Sequence, residues 1–143
     1  MGGIAGVCTF LGGLLTPSQS FLQALGHGII AWIGYSLAPS IASWRLSKSP
    51  LAPALPEQYQ EYFIAAAALP VIGSGIFNLI PIPGFFFLWT CAGAVLVSWS
   101  AYLGSSSLLG LAGPARKRVA TQLGTMSAIP PLTANVLRIS ILG

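Results

Sequence analysis

His27 is the one histidine in this chain, and it lies in the apolar string Leu25-Gly26-His27-Gly28-Ile29. A neutral imidazole is an axial ligand for haem iron, and by the same chemistry for the magnesium of a chlorophyll. The flanking glycines leave space beside the ring, so haem or chlorophyll binding through His27 is one expectation. The other is structural: an interhelical hydrogen bond, the commoner use of a polar side chain inside an apolar segment. No second histidine is present for a two-ligand haem. Gln23, Asn78 and Asn135 are further polar side chains at depth, and Tyr35 and Arg138 complete the set from which a buried site could be built.

Other chemistries are short of residues. The only acids are Glu57 and Glu61, in or beside a polar connection, and there is no aspartate. Proton- or cation-coupled transport ordinarily needs a carboxylate at mid-membrane, so that class is disfavoured. Cys8 and Cys91 fall inside separate apolar runs, match no redox spacing and cannot by themselves hold a metal. There is no Ser-His-Asp set and no glycine-rich phosphate loop after a strand. The sequence offers no catalytic residues and no metal ligands, and the balance leans away from an enzyme.

The elements that would carry these residues are of membrane length. Hydrophobic residues make up 55% of the 143 and charged residues 6%, and the mean hydropathy is +0.81. A soluble domain carries about a quarter charged residues, so a soluble surface would be far too poor in charge. The expected fold class is all-α, a polytopic transmembrane helical bundle of four to five spans in a single integral membrane domain over 1–143.

Residues 63–80 and 85–103 carry no charge and are joined only by Pro81-Ile82-Pro83-Gly84. Each is near the roughly 20 residues that cross a hydrocarbon core of about 30 Å. Spans so closely joined are antiparallel neighbours, and this hairpin is the centre of the expected fold. Residues 21–44 form another span, with Gly26, Gly28 and Gly34 as points of close helix approach and Ser18 or Ser20 placed to cap its start. Ala94 and Ser98 make a small-residue packing face in the span 85–103. Residues 3–15 are short for a span and suit a re-entrant or interfacial segment equally well. Residues 119–142 are apolar enough to cross, but Pro130-Pro131 should break the helix near its middle. That leaves either a kinked span, with Arg138 snorkelling to the surface, or two interfacial pieces.

Charge and aromatic residues give the expected orientation. Trp44 and Arg45 close one span, with Lys48 just beyond, and Tyr59 and Tyr62 precede the next. Trp99 and Tyr102 close the span 85–103, and Arg116, Lys117 and Arg118 follow. Aromatic anchors beside basic residues mark membrane surfaces, and basic loops stay on the cytoplasmic side. Loops 45–60 and 104–118 are therefore expected on that side, or its organellar equivalent. The basic triplet lies between apolar segments, which speaks for topology and against nucleic acid. The N-terminus lacks the basic start and small-residue cleavage site of a secretory signal, so the chain is expected to be either already mature or inserted through its own helices.

Gly34-Tyr35-Ser36-Leu37-Ala38-Pro39 resembles the Gly-Tyr-x-Leu-x-Pro turn of the Yip1-type membrane-trafficking proteins, and Val97-Ser98-Trp99-Ser100-Ala101 falls where that family has a tryptophan-containing span. The resemblance implies about five spans, a Golgi or endoplasmic-reticulum location and small GTPases as partners. It covers two short patches, and the soluble N-terminal segment typical of the family is missing.

Three functions are therefore carried forward. The leading one is a non-catalytic small integral subunit packed within a larger membrane complex, respiratory or photosynthetic, with the lipid bilayer and other membrane subunits as partners. The second is a small membrane-embedded enzyme or carrier with a cavity near His27, Tyr35 and Asn78. The third is the Yip1-like trafficking protein.

Overall fold

The computed structural model describes residues 2–48, 69, 73, 75–80, 82, 84–107 and 110–142, and every regular element among them is helical. The chain enters its first long helix through Ser20. The Ser20 hydroxyl accepts the Gln23 N–H at 3.3 Å, and the Gln23 side-chain oxygen accepts the Ser20 N–H at 2.9 Å. This is a reciprocal capping box, which satisfies two otherwise orphaned donors. Gln23, expected at depth, is thus engaged at a helix start. The helix it opens, α2, covers Phe21–Ser47 and follows the short α1, Gly2–Leu14. A 3-10 helix at Gly75–Leu79, α3 at Phe85–Ser107 and α4 at Gly113–Leu142 complete the elements.

At 1.5 Å per residue, α2, α3 and α4 are about 40, 35 and 45 Å long, and α1 about 20 Å. Phe21–Arg45 and Phe85–Ser107 are each long and apolar enough to cross a membrane. Of the expected span 63–80 only Leu69, Gly73 and residues 75–80 are described, and there Gly75–Leu79 is a 3-10 turn and not α-helix. Gly84, at φ 83°, turns the chain into α3, a left-handed conformation that favours glycine.

Two expectations about proline are corrected. α4 runs unbroken through Pro130 and Pro131, and α2 through Pro39. The string Gly34–Pro39 is therefore helix and not the turn its resemblance implied. Each proline removes one N–H and crowds the preceding turn, yet neighbouring helices can support the backbone at such a point. Here α2 supplies the support. Gly34 has no side chain where the Pro130 carbonyl and Ala134 approach, and Pro130 and Pro131 are buried.

α1 packs on α2, α2 on α4 and α4 on α3, while the 3-10 segment touches both α1 and α3. Gly6 and Gly28 face each other across the α1–α2 contact, and Gly124 of α4 sits against Ala94 and Ser98 of α3. At one end the late turns of α2 and α3 meet the early turns of α4, burying Ala38, Ala42, Val97, Ala101, Val119, Ala120 and Leu123 together. Helices α2 and α3 thus run the same way, with α4 antiparallel to both. α1 is antiparallel to α2, since Gly2 lies by Ser36 and Gly13 by Ala24.

Large and small residues are distributed inside out. The buried apolar set is mostly alanine, whereas Leu22, Trp32, Leu88, Val95, Leu96, Trp99 and Ile141 are all more than half exposed. Only 39% of the most apolar stretch of Phe21–Arg45 and 22% of that of Phe85–Ser107 is buried. A helix at the core of a soluble protein hides its apolar stripe. These turn theirs outward and pack through small and polar residues.

Candidate functional site

The inward stripe of α2 reads Ala24, His27, Ala31, Tyr35, Ala38 and Ala42, at spacings of three and four that keep one helix face. The stripe of α4 reads Val119, Leu123, Ser127, Pro131, Asn135 and Arg138, and that of α3 has Thr90, Gly93, Val97, Ala101 and Ser105. Because α4 is antiparallel to α2, its late residue Arg138 comes level with the early residue His27. The first turns of α3 bring Phe86 and Thr90 to the same end, and the 3-10 helix adds Asn78.

Arg138 is the pivot. It is only 5% exposed, so the expected snorkelling to the surface does not occur. The guanidinium turns inward because it finds acceptors there. Its Nε–H points to His27 Nδ1 at 3.4 Å, its NH1 donates to Asn135 Oδ1 at 3.0 Å, and its carbon lies 4.7 Å over the Phe86 ring. Asn135 passes the chain on, donating from Nδ2 to Thr90 Oγ1 at 3.3 Å. The Thr90 hydroxyl donates its single hydrogen to the Phe86 carbonyl at 2.6 Å, so the 3.2 Å bond with Tyr35 must be donated by the tyrosine. On the other side of the bundle, Asn78 Nδ2 donates to Thr9 Oγ1 at 2.9 Å. Gly12 makes room for this: a methyl group there would collide with the Asn78 carbonyl.

A cavity of about 290 Å³ opens between these groups, lined at its polar positions by Thr9, Thr16, Ser18, Gln19, His27, Asn78 and Arg138. It is near the small end of ligand pockets, about 300–1,000 Å³. Three buried atoms of its lining have no hydrogen-bond partner: His27 Nε2, Asn78 Oδ1 and Gln19 Oε1. The state of the imidazole follows from its neighbour. A guanidinium can only donate, so Nδ1 accepts, and the neutral ring carries its hydrogen on Nε2. Metal-ligating histidines show the reverse arrangement, with the second nitrogen donating to an acceptor. His27 therefore suits hydrogen-bond donation into the cavity better than axial ligation of haem or chlorophyll. Among the described residues no group of histidine, cysteine and acidic side chains is placed to hold a metal ion.

The other residues singled out from the sequence lie elsewhere. Tyr35 is fully buried and does not line the cavity, whereas Asn78 does. Arg45, Lys48, Lys117 and Arg118 are exposed at the opposite end. Lys48 Nζ lies 4.9 Å over the exposed Trp44 ring. Arg116 stacks 3.6 Å over Tyr102 and donates to its carbonyl, and Trp99 is exposed. Tyr59 and Tyr62 lie outside the described residues. Gly26 is half-buried, while Gly28 and Gly34 sit at the close contacts of α2, as Ala94 and Ser98 do on α3. Cys8 and Cys91 are both free thiols.

Thr9, Thr90 and Gln19 were not anticipated. A signal existed for the threonines, which stand in register with small residues on the inward stripes of their helices. Nothing comparable marks Gln19, placed by the turn between α1 and α2. No protein-family model matches this chain, and neither a curated protein nor a solved structure is detectably similar to it.

Proposed function

We propose that this chain is a multi-pass integral membrane protein that binds a small polar solute in the cavity between His27, Asn78 and Arg138, as a carrier or membrane-embedded enzyme. The observation that carries the reading is the burial of Arg138 at a cavity wall, with partially unsatisfied polar groups around the same space. Intramembrane ionisable groups are costly and mark ligand or ion pathways. The subunit reading rests on small size and little extramembrane mass, features that a free-standing carrier shares. The cavity favours the carrier or enzyme.

The inside-out residue distribution supports membrane insertion, with α4 crossing antiparallel to α2 and α3. On this reading the chain returns across the membrane between Lys48 and Asn78, a stretch that lies largely outside the described residues. Arg45, Lys48 and Arg116–Arg118 then lie at the cytoplasmic surface. Arg138 lies 20 residues along the same helix from Arg118, or about 30 Å, which puts the cavity near the opposite surface.

Single cysteines placed at Ser18 and at Lys117, with Cys8 and Cys91 changed to alanine, test the arrangement in sealed vesicles. An impermeant maleimide added from the non-cytoplasmic side should label S18C and spare K117C. Labelling of both from one side overturns the multi-pass reading.

A further inference from the structure

We propose that the cavity takes an oxyanion, a carboxylate or phosphate, as the counter-ion of Arg138, and that the bound molecule carries a hydroxyl or ammonium group beside that anion. The inference rests on the cavity being a binding site and adds the chemistry of what binds. Three observations carry it. First, Arg138 is buried with neutral partners only. His27 Nδ1 and Asn135 Oδ1 orient the guanidinium, but neither carries charge. No carboxylate occurs among the described residues, and a buried cation without a counter-charge is strongly unfavourable. The planar guanidinium fork suits carboxylate and phosphate oxygens alike.

Second, the nearest unpartnered group repeats the preference. His27 is 6% exposed and lines the cavity, and its Nε2, which carries a hydrogen to donate as its contact with Arg138 requires, has no partner among the described residues. Both donors therefore ask for an acceptor, and the guanidinium for a negative one. Third, the unpartnered atoms supplied by the other elements are of opposite kind. Asn78 is 2% exposed, and its amide is fixed by donation to Thr9, which leaves Oδ1 an acceptor without a donor. Gln19 Oε1 is also buried without a partner among the described residues. A bare anion would satisfy the first group and leave the second unmet. An anion carrying O–H or N–H groups, such as a hydroxy acid, an amino acid or a glycerophosphate, satisfies both. The same chemistry is offered by a free solute and by an anionic lipid headgroup.

The test uses the full chain in neutral detergent and in nanodiscs. Thermal unfolding is followed against lactate, serine, glycerol 3-phosphate and inorganic phosphate, with chloride at matched ionic strength as the reference. At least one donor-bearing oxyanion should give a saturable rise in midpoint. R138M should abolish that rise, and R138K should weaken binding at least tenfold, because a point charge replaces a fork. H27A should weaken it by about tenfold or more, the usual cost of a hydrogen bond to a charged group. If a lipid is the source, wild type but not R138M will be more stable in phosphatidylglycerol nanodiscs than in phosphatidylcholine ones. If a free solute is the source, the two lipids will give equal stability. Binding of the oxyanions by R138M at wild-type affinity overturns the proposal. So does an unresponsive wild type in which E57Q/E61Q is as perturbed as R138M, since the counter-ion is then internal. Saturable binding of glycerol that needs Asn78 but not Arg138 keeps the binding cavity and removes the anion. A response to no solute and no lipid removes both.

Discussion

The two ends of the bundle handle positive charge in opposite ways. At one end Arg45, Lys48, Lys117 and Arg118 stand exposed, and Arg116 rests on Tyr102 over a tight core of alanine, valine and leucine. At the other, Arg138 is buried, and the helices are held apart by a cavity with hydrogen bonds around it. Where the cations are hydrated, the helices close on small apolar side chains and little polar chemistry is needed. Where the cation is inside, packing gives way to a polar network that extends from α2 through α4 to α3.

The largest expected effect that sharpens this contrast is at Thr90. T90V removes the acceptor shared by Tyr35 and Asn135 in a fully buried setting. The cost should be about 1–3 kcal/mol for each donor left unpaired, read by denaturant titration in detergent. Next comes Gly12, where alanine would press on the carbonyls of Asn78 and Leu79. Overpacking of this kind costs about 1–3 kcal/mol, and G12A should also displace Asn78 from the cavity and weaken solute binding. The smallest effects belong to the two arginines themselves. R116A loses a partly exposed cation–π contact worth about 1 kcal/mol or less. R138M should change the empty protein's stability little, because relief from a buried charge that nothing balances offsets the loss of its hydrogen bonds to His27 Nδ1 and Asn135 Oδ1. A loss at R138M as large as that at T90V would break the comparison and make Arg138 a structural member.

Much of the architecture was legible in the residues. The two helices that could cross a membrane fall on the expected spans 21–44 and 85–103, whereas the crossing expected at 63–80 lies largely outside the described residues. The prolines misled because proline removes a hydrogen bond locally, whereas its tolerance depends on the partner helix, here on Gly34. Arg138 misled for a related reason. Its place three residues from Asn135 on the inward stripe was visible, but whether a long side chain turns in or out depends on which acceptors another helix brings. His27 was singled out with two readings, an interhelical hydrogen bond or an axial ligand, and its contact with Arg138 is of the first kind. Only the guanidinium beside it fixes which nitrogen carries the hydrogen.

The Thr90 hydroxyl spends its one hydrogen on the Phe86 carbonyl and accepts from both Asn135 and Tyr35. The bonds from Arg138 through Asn135 and Thr90 to that carbonyl consequently all point one way, each donor polarised by the one before it. Such a one-way relay spreads the guanidinium's charge across α4 and into the first turn of α3. An anion that drew the guanidinium away from Asn135 would slacken every link, and Tyr35, on a third helix, would register at its own hydroxyl that the cavity had filled.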